Sequence, residues 1–282
     1  MGMEWSQFLN HYRVKGIMAP QITELRYSNT NTYLITGRYG TLLFDTGWAG
    51  TFPAFRDLLK QHKRKVSEID IIMISHFHPD HCGLSQEIAD IANAKIIVLS
   101  VQRSHIHDAD ALFEKEKRDD HVPIRDESVT VISEEESRAF LLKYGIDGEV
   151  ISTPGHSDDS ISLLLDSGEL FVGDLNPLYE LPLHEGTLIG KSWEKLLSKD
   201  PKTVYYGHAK AAAVSAEDMP ENEGASDVGL IFKYAQKGYD VKKICKKTGA
   251  EKSLVEDVLR LYLTHPGVSL QGILDRLDIK GK

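Results

Sequence analysis

Only two cysteines, Cys82 and Cys245, occur in 282 residues. They lie far apart and in no Cys-x-x-Cys pairing, so neither a disulfide framework nor a thiolate metal site is indicated. No uncharged apolar run approaches the roughly 20 residues that a membrane-spanning helix needs. The first sixteen residues place charges where a secretory leader would have a continuous apolar core, so the expected location is cytoplasmic, with no membrane partner. Gly2 with Ser6 fits the N-myristoylation pattern, but only as loosely as chance allows. Positive charge is scarce as well: 33 Lys and Arg face 42 Asp and Glu, a net charge of -9. That balance argues against a general nucleic-acid binder, whose phosphate affinity comes from surplus cations. The deficit is uneven. Residues 233–282 hold eleven Lys or Arg against six Asp or Glu, so the tail carries +5 and residues 1–232 carry -14.

What is present fits a folded chain of one large domain plus an appendage, with 41% hydrophobic and 27% charged residues. Thr32–Thr36 and Thr41–Thr46 are short apolar runs around a glycine-containing turn, a hairpin signal. Phe52–Lys63 has helical spacing, and Ile69–Ile74 and Lys95–Leu99 read as strands buried on both faces, with a helix after Gly83 between them. Val101–Arg125 reads as a helix with a flank. Glu149–Ser152, Ile161–Leu165, Leu170–Val172 and Thr203–Tyr206 read as further strands. Met219–Asp227 looks like a linker. Beyond it, Asp240–Gly249 and Lys252–Leu263 are helical patterns, and Val268–Leu277 is a third. The expected division is a catalytic domain at 1–218 and a helical segment at 228–282.

Histidine carries the chemical signal. His76-Phe77-His78-Pro79-Asp80-His81 packs three imidazoles and a carboxylate into six positions directly after a buried strand. Neutral imidazole and carboxylate are preferred ligands of zinc and its divalent neighbours, and alternate positions on an extended loop can aim two imidazoles one way. Three later segments repeat the theme of an apolar run, a glycine and then a ligand-type residue, ending at His156, Asp174 and His208. By contrast His105 and His107 lie in a charged, helical stretch and read as surface residues, and Cys82 reads as a small buried filler. Tyr179, His184, Tyr205 and Tyr206 flank two of the ligand positions. They are candidates either for donating to a developing oxyanion or for core packing.

The His76–His81 cluster, His156, Asp174 and His208, preceded by Leu43-Phe44-Asp45-Thr46-Gly47, together resemble the metallo-beta-lactamase superfamily over roughly residues 20–215. The resemblance implies an α+β fold, a four-layer αββα sandwich with metals at one edge, here followed by a C-terminal helical segment. It implies that His76, His78 and His156 hold one divalent ion, that Asp80, His81 and His208 hold a second, and that Asp174 bridges them. Asp45 would fix a ligand imidazole by hydrogen bond from behind. Zinc is the first expectation for both ions, with iron or manganese as alternatives. The implied reaction is hydrolysis by a hydroxide shared between two ions, with Asp80 or Asp174 passing a proton to the leaving group.

Beta-lactamases that bind two zincs usually have Cys where this chain has Asp174. The Asp is similar to glyoxalase II, acyl-homoserine lactonases and nuclease or phosphodiesterase branches. A small-molecule ester, lactone or thioester is therefore the expected substrate. A phosphodiesterase of the same fold and a mononuclear iron persulfide dioxygenase are the alternatives, and a homo-oligomer stays open. In the tail, Lys242, Lys243, Lys246 and Lys247 oppose an apolar set that includes Val241, Ile244 and Cys245. That pattern suits a helix docked as a substrate-pocket cap better than a helix-turn-helix reader of nucleic acid.

Overall fold

A computed structural model describes residues 20–214, 225–264, 273 and 277. Gly2, Ser6, most of the Met219–Asp227 segment and most of the third tail pattern lie outside the described residues. Two β-sheets and a set of helices make a mixed α/β fold. In the six-stranded first sheet the order is β1 (Gln21–Arg26), β2 (Asn31–Thr36), β3 (Thr41–Phe44), β4 (Ile71–Met73), β5 (Lys95–Leu99) and β6 (Val129–Ile132). The first three pair antiparallel, and β3 to β6 pair parallel. Parallel strands need crossovers, supplied here by α1 (Phe52–Gln61), by α2 (Pro79–Cys82) with α3 (Ser85–Ala92), and by α4 (Asp108–Lys115).

Strand alternation splits this sheet between two cores. Leu43, Ile72, Ile96 and Val98 face the helices with Phe55, Leu59, Ile88 and Phe113. Leu42, Phe44, Ile71, Met73, Ile97 and Leu99 face the other way, onto Val150, Ile161, Leu163, Leu165 and Phe171. Those partners come from β7 (Gly148–Ser152), β8 (Ile161–Leu165) and β9 (Glu169–Phe171) of the second sheet. That sheet continues through β10 (Thr203–Tyr205) and β11 (Ala212–Ala213), in the order β11-β10-β9-β8-β7. Central strands apolar on both faces explain why Ile71–Met73 and Lys95–Leu99 read as unbroken hydrophobic runs. α5 (Glu134–Leu142) opens with a capping box in which Ser133 and Glu136 each bond the other's backbone N–H.

Contacts divide the chain into two compact units. Among the described residues the first comprises 20–152, 157–174 and 205–210, and the second comprises 153–156, 175–204, 211–214 and 225–264 with 273 and 277. The second contains α6 (Leu188–Leu197), α7 (Ala225–Gln236), α8 (Val241–Thr248) and α9 (Lys252–Thr264). Its apolar centre joins Val228, Ile231, Phe232, Ile244, Val255 and Val258. The stretch expected to be a linker is already helical from Ala225, because α7 contributes Val228 and Ile231 to that centre. α8 starts at its Asp240 cap, whose side chain accepts the Lys243 N–H, and stops at Gly249 in a left-handed conformation. Among the described residues no helix is long and apolar enough to cross a membrane.

Candidate metal centre

Asp45 and every candidate ligand of the first unit follow the carboxyl end of a strand. Asp45 comes directly after β3, His76–His81 after β4, Asp174 after β9 and His208 after β10. Short strands ending together deliver short, stiff loops to one place. Glycine makes the approach close enough. A Cβ on Gly207 would lie 2.6 Å from Asp174 Oδ1 and 2.8 Å from His81 Cε1, and one on Gly173, at φ +56°, would meet Ser75 Oγ at 2.4 Å. The Gly207 N–H donates to the Gly173 carbonyl at 2.7 Å, which locks the two loops together.

The side chains converge. His81 Nε2 is 3.2 Å from Asp174 Oδ1 and 3.3 Å from His208 Nε2. His208 Nε2 lies 3.1 Å from Asp80 Oδ2 and 3.3 Å from Asp174 Oδ1. His76 Nε2 is 2.9 Å from His78 Nδ1 and 3.9 Å from Asp174 Oδ2. Within this unit two groups, His76 with His81 and Asp174, and Asp80 with His81 and His208, each bring their ligand atoms within 4.8 Å of one another. His156 lies on the 153–156 segment, which groups with the second unit. There the Ser192 hydroxyl donates to the Pro154 carbonyl at 2.7 Å.

Two imidazoles are oriented from behind. Asp45 Oδ2 accepts from His81 Nδ1 at 2.9 Å, while the same carboxylate accepts the Ser75 N–H at 2.7 Å and the Ser75 hydroxyl at 2.9 Å. His208 Nδ1 donates to the Asn29 carbonyl at 2.8 Å. Each bond commits Nδ1 as the donor and leaves Nε2 turned toward the centre as a lone-pair ligand. Asp45 reaches its place through a left-handed backbone, φ +62°, a conformation Asp tolerates better than most residues.

Charge in the cluster follows. Burial opposes a proton on His81, but Asp45 and Asp174 overcome it and hold the pKa well above the usual imidazole value. His208 is likewise raised, against burial, to about 10 by its bonds to Asp174 and Asp80. Burial works to raise the pKa of Asp174, yet His208 and His81 pull it far below the usual carboxylate range, and His208 does the same more mildly for Asp80. Carboxylates that recruit protons onto buried rings form a donor set suited to a cation. All-nitrogen and all-oxygen donors fit a divalent ion of the zinc, iron or manganese kind.

Ser75, Asn31 and Thr30 join the site without a sequence signal. Asn31 Nδ2 donates to the Tyr206 and Ala209 carbonyls at 3.1 and 2.8 Å, bracketing His208, and the Thr30 hydroxyl donates to Asp80 at 3.3 Å. The partners of Asn31 and Thr30 lie 50 or more positions away, and Asp45, the partner of Ser75, lies 30 away. Tyr205 takes the packing role, its ring stacked on Phe171 at 4.8 Å, and Tyr206 is buried. Tyr179 and His184 belong to the second unit. Cys82 is buried in the helix-side core. His105 and His107 bond outward, to Asp108 at 2.7 Å and to Asp110 at 2.8 Å. His105→Ala and His107→Ala should therefore change neither metal content nor turnover by more than about twofold, checked by elemental analysis beside an activity assay.

Imidazoles and carboxylates gathered at strand ends define a metal-binding protein on a two-sheet α/β frame. Residues 25–208 match the family model of the metallo-beta-lactamase superfamily, and the chain belongs to that superfamily, whose members are largely metal-dependent hydrolases. It is 29% identical over 192 residues to a beta-lactamase-like protein 2 homolog of Drosophila melanogaster, covering 64% of this chain and 58% of that protein. It is 29% identical over 146 residues to the Methanocaldococcus jannaschii protein named probable metallo-hydrolase MJ0888, covering 52% of this chain and 66% of that one. The match thus spans less than two thirds of either relative's length. Among solved structures, TTHA1623 in a di-iron-bound form shares the fold at TM-score 0.51 and 20% identity, covering 68% of this chain and 94% of that one.

Proposed function

We propose that this protein is a metal-dependent hydrolase that holds two divalent ions and cleaves a carbonyl ester, lactone or thioester of small size. The observation that carries the reading is the two-sided presentation of Asp174, with Oδ1 toward His81 and His208 and Oδ2 toward His76. His76, His78 and His156 would hold one ion, Asp80, His81 and His208 the other, and Asp174 both. Zinc is the first expectation, with iron or manganese as alternatives. When bound, such ions supply a hydroxide near neutral pH and polarise the scissile carbonyl.

The chain's own residues do the rest. Asp45 and the Asn29 carbonyl keep His81 and His208 in the ligating tautomer. Asp80, half-buried with its Oδ2 at the edge of the cluster, or Asp174 would take the proton given up by the attacking water and pass it on to the leaving group. No side-chain nucleophile is required. Residues 1–218 would form the catalytic domain, with 228–282 as a C-terminal helical segment that serves substrate binding. Truncation after residue 227 should then cost substrate affinity or solubility while leaving metal content unchanged, since every proposed ligand precedes the cut.

The assay that tests the reading is a hydrolysis screen over lactones, thioesters and phosphodiesters with the metal-loaded protein. Carbonyl substrates are expected to turn over faster. A bis-aryl phosphodiester cleaved orders of magnitude faster than any of them would replace the acyl assignment with a phosphodiesterase. One ion per chain under saturating metal, with oxygen uptake, would replace it with the mononuclear iron dioxygenase.

A further inference from the structure

Phe77 separates two of the proposed ligands, His76 and His78. Its ring is 2% exposed in the helix-side core, so packing fixes the loop from one side. From the other, its backbone N–H donates to Asp159 Oδ2 at 2.7 Å. Asp159 is itself only 4% exposed, and a carboxylate is left there only when something compensates its lost hydration. Its segment grips the loop twice, because the Ile161 N–H also donates to the Ser75 carbonyl at 2.8 Å. The turn carrying it is tied by the Ser157 and Ser160 hydroxyls, 2.7 Å apart, and by the Ser157 N–H, which donates to Ser160 Oγ at 3.2 Å. The N–H groups on either side of His76 therefore end on different carboxylates, that of Ser75 on Asp45 and that of Phe77 on Asp159. Asp45 also holds His81, whereas Asp159 follows His156 by three positions in the chain.

We infer that Asp159 is a positioning residue for the His76 and His78 end of the centre, acting through the Phe77 amide. It ties the loop of those two ligands to the segment that directly follows His156. The inference rests on the two-ion reading above and deepens it. The ion held by His76, His78 and His156 depends on Asp159, while the ion held by Asp80, His81 and His208 does not. A buried carboxylate that served stability alone would weaken both sites together.

Stepwise zinc titration of the metal-free full chain against a chromophoric chelator distinguishes these, together with hydrogen exchange at the Phe77 amide. In Asp159→Ala the Phe77 amide should exchange at least about tenfold faster. One zinc-binding step should weaken about 10- to 100-fold, the range for losing an outer support of a metal ligand, with the other step within about twofold. Asp159→Asn, which keeps an acceptor oxygen, should stay within about threefold of wild type at both steps. If Asp159→Ala does not fold, Asp159→Glu, which displaces the acceptor, should give the same one-step loss. Equal weakening of both steps, or an unchanged Phe77 exchange rate, overturns the inference. Wild-type protein that takes up fewer than two zinc ions refutes the two-ion reading by itself. The role of Asp159 is then decided by the Phe77 exchange rate alone.

Discussion

Asp174→Ala should bring metal content from about two ions per chain to one or none and lower turnover by on the order of a thousandfold or more. Asp174 approaches imidazoles with both of its oxygens. Oδ1 stands 3.2 Å from His81 Nε2 and 3.3 Å from His208 Nε2, and Oδ2 stands 3.9 Å from His76 Nε2. Without it, His81 and His208 face each other at 3.3 Å with the carboxylate they share gone, and a cation entering there meets two rings and, of the carboxylates proposed as ligands, Asp80. Asp174→Asn keeps the shape and removes the charge, so it should retain part of the metal and little of the activity. Elemental analysis of metal-saturated protein with turnover on the best substrate gives the answer. Two ions retained with activity within about tenfold of wild type would show that Asp174 is not the bridge.

Asp45→Ala should weaken metal binding by about 10- to 100-fold and destabilise the fold as well. The Ser75 N–H loses its acceptor inside the protein, where an unsatisfied donor costs about 1–3 kcal/mol, and the Ser75 hydroxyl loses one of its partners. Alanine must also adopt φ +62°, adding about 1–2 kcal/mol. Asp45→Asn separates the two effects. Its side chain tolerates the left-handed backbone and its carbonyl oxygen can still accept from Ser75. Its amide N–H₂, however, would face His81 Nδ1 and drive the ring to the tautomer in which Nε2 carries the proton. The Asn variant should thus unfold in urea close to wild type yet lose metal as the Ala variant does. Wild-type zinc affinity in the Asn variant would sink the orienting role.

The parallel core of the first sheet was legible because β4 and β5 are apolar on both faces, and the candidate ligands were legible because each follows such a strand within a few positions. β1 carries no such signal: Gln21–Arg26 is an edge strand with a mixed burial pattern and two charged residues, so it offers no clean alternation. α6 carries Gly190, which weakens the helical signal, and its start rests on the Thr187 side chain accepting the Gly190 N–H. Ser75, Asn31 and Asp159 act on partners 30, 175 and 82 positions distant, and no local spacing encodes such pairs. Tyr205 offered a phenol in sequence and proved to be a ring packed between Phe171 and Tyr33.

Gly207, on the His208 loop, sits against Asp174 and His81, and not one additional carbon fits there. Such a seam divides the chain into positions with different evolutionary freedom. Surface positions away from the ligand loops can change as substrates change, but the joint at Gly207 can accept only the smallest residue. Divergence of specificity in this lineage must therefore proceed around the centre and not through it, and a homologue with a side chain at this position would have to hold its loops farther apart.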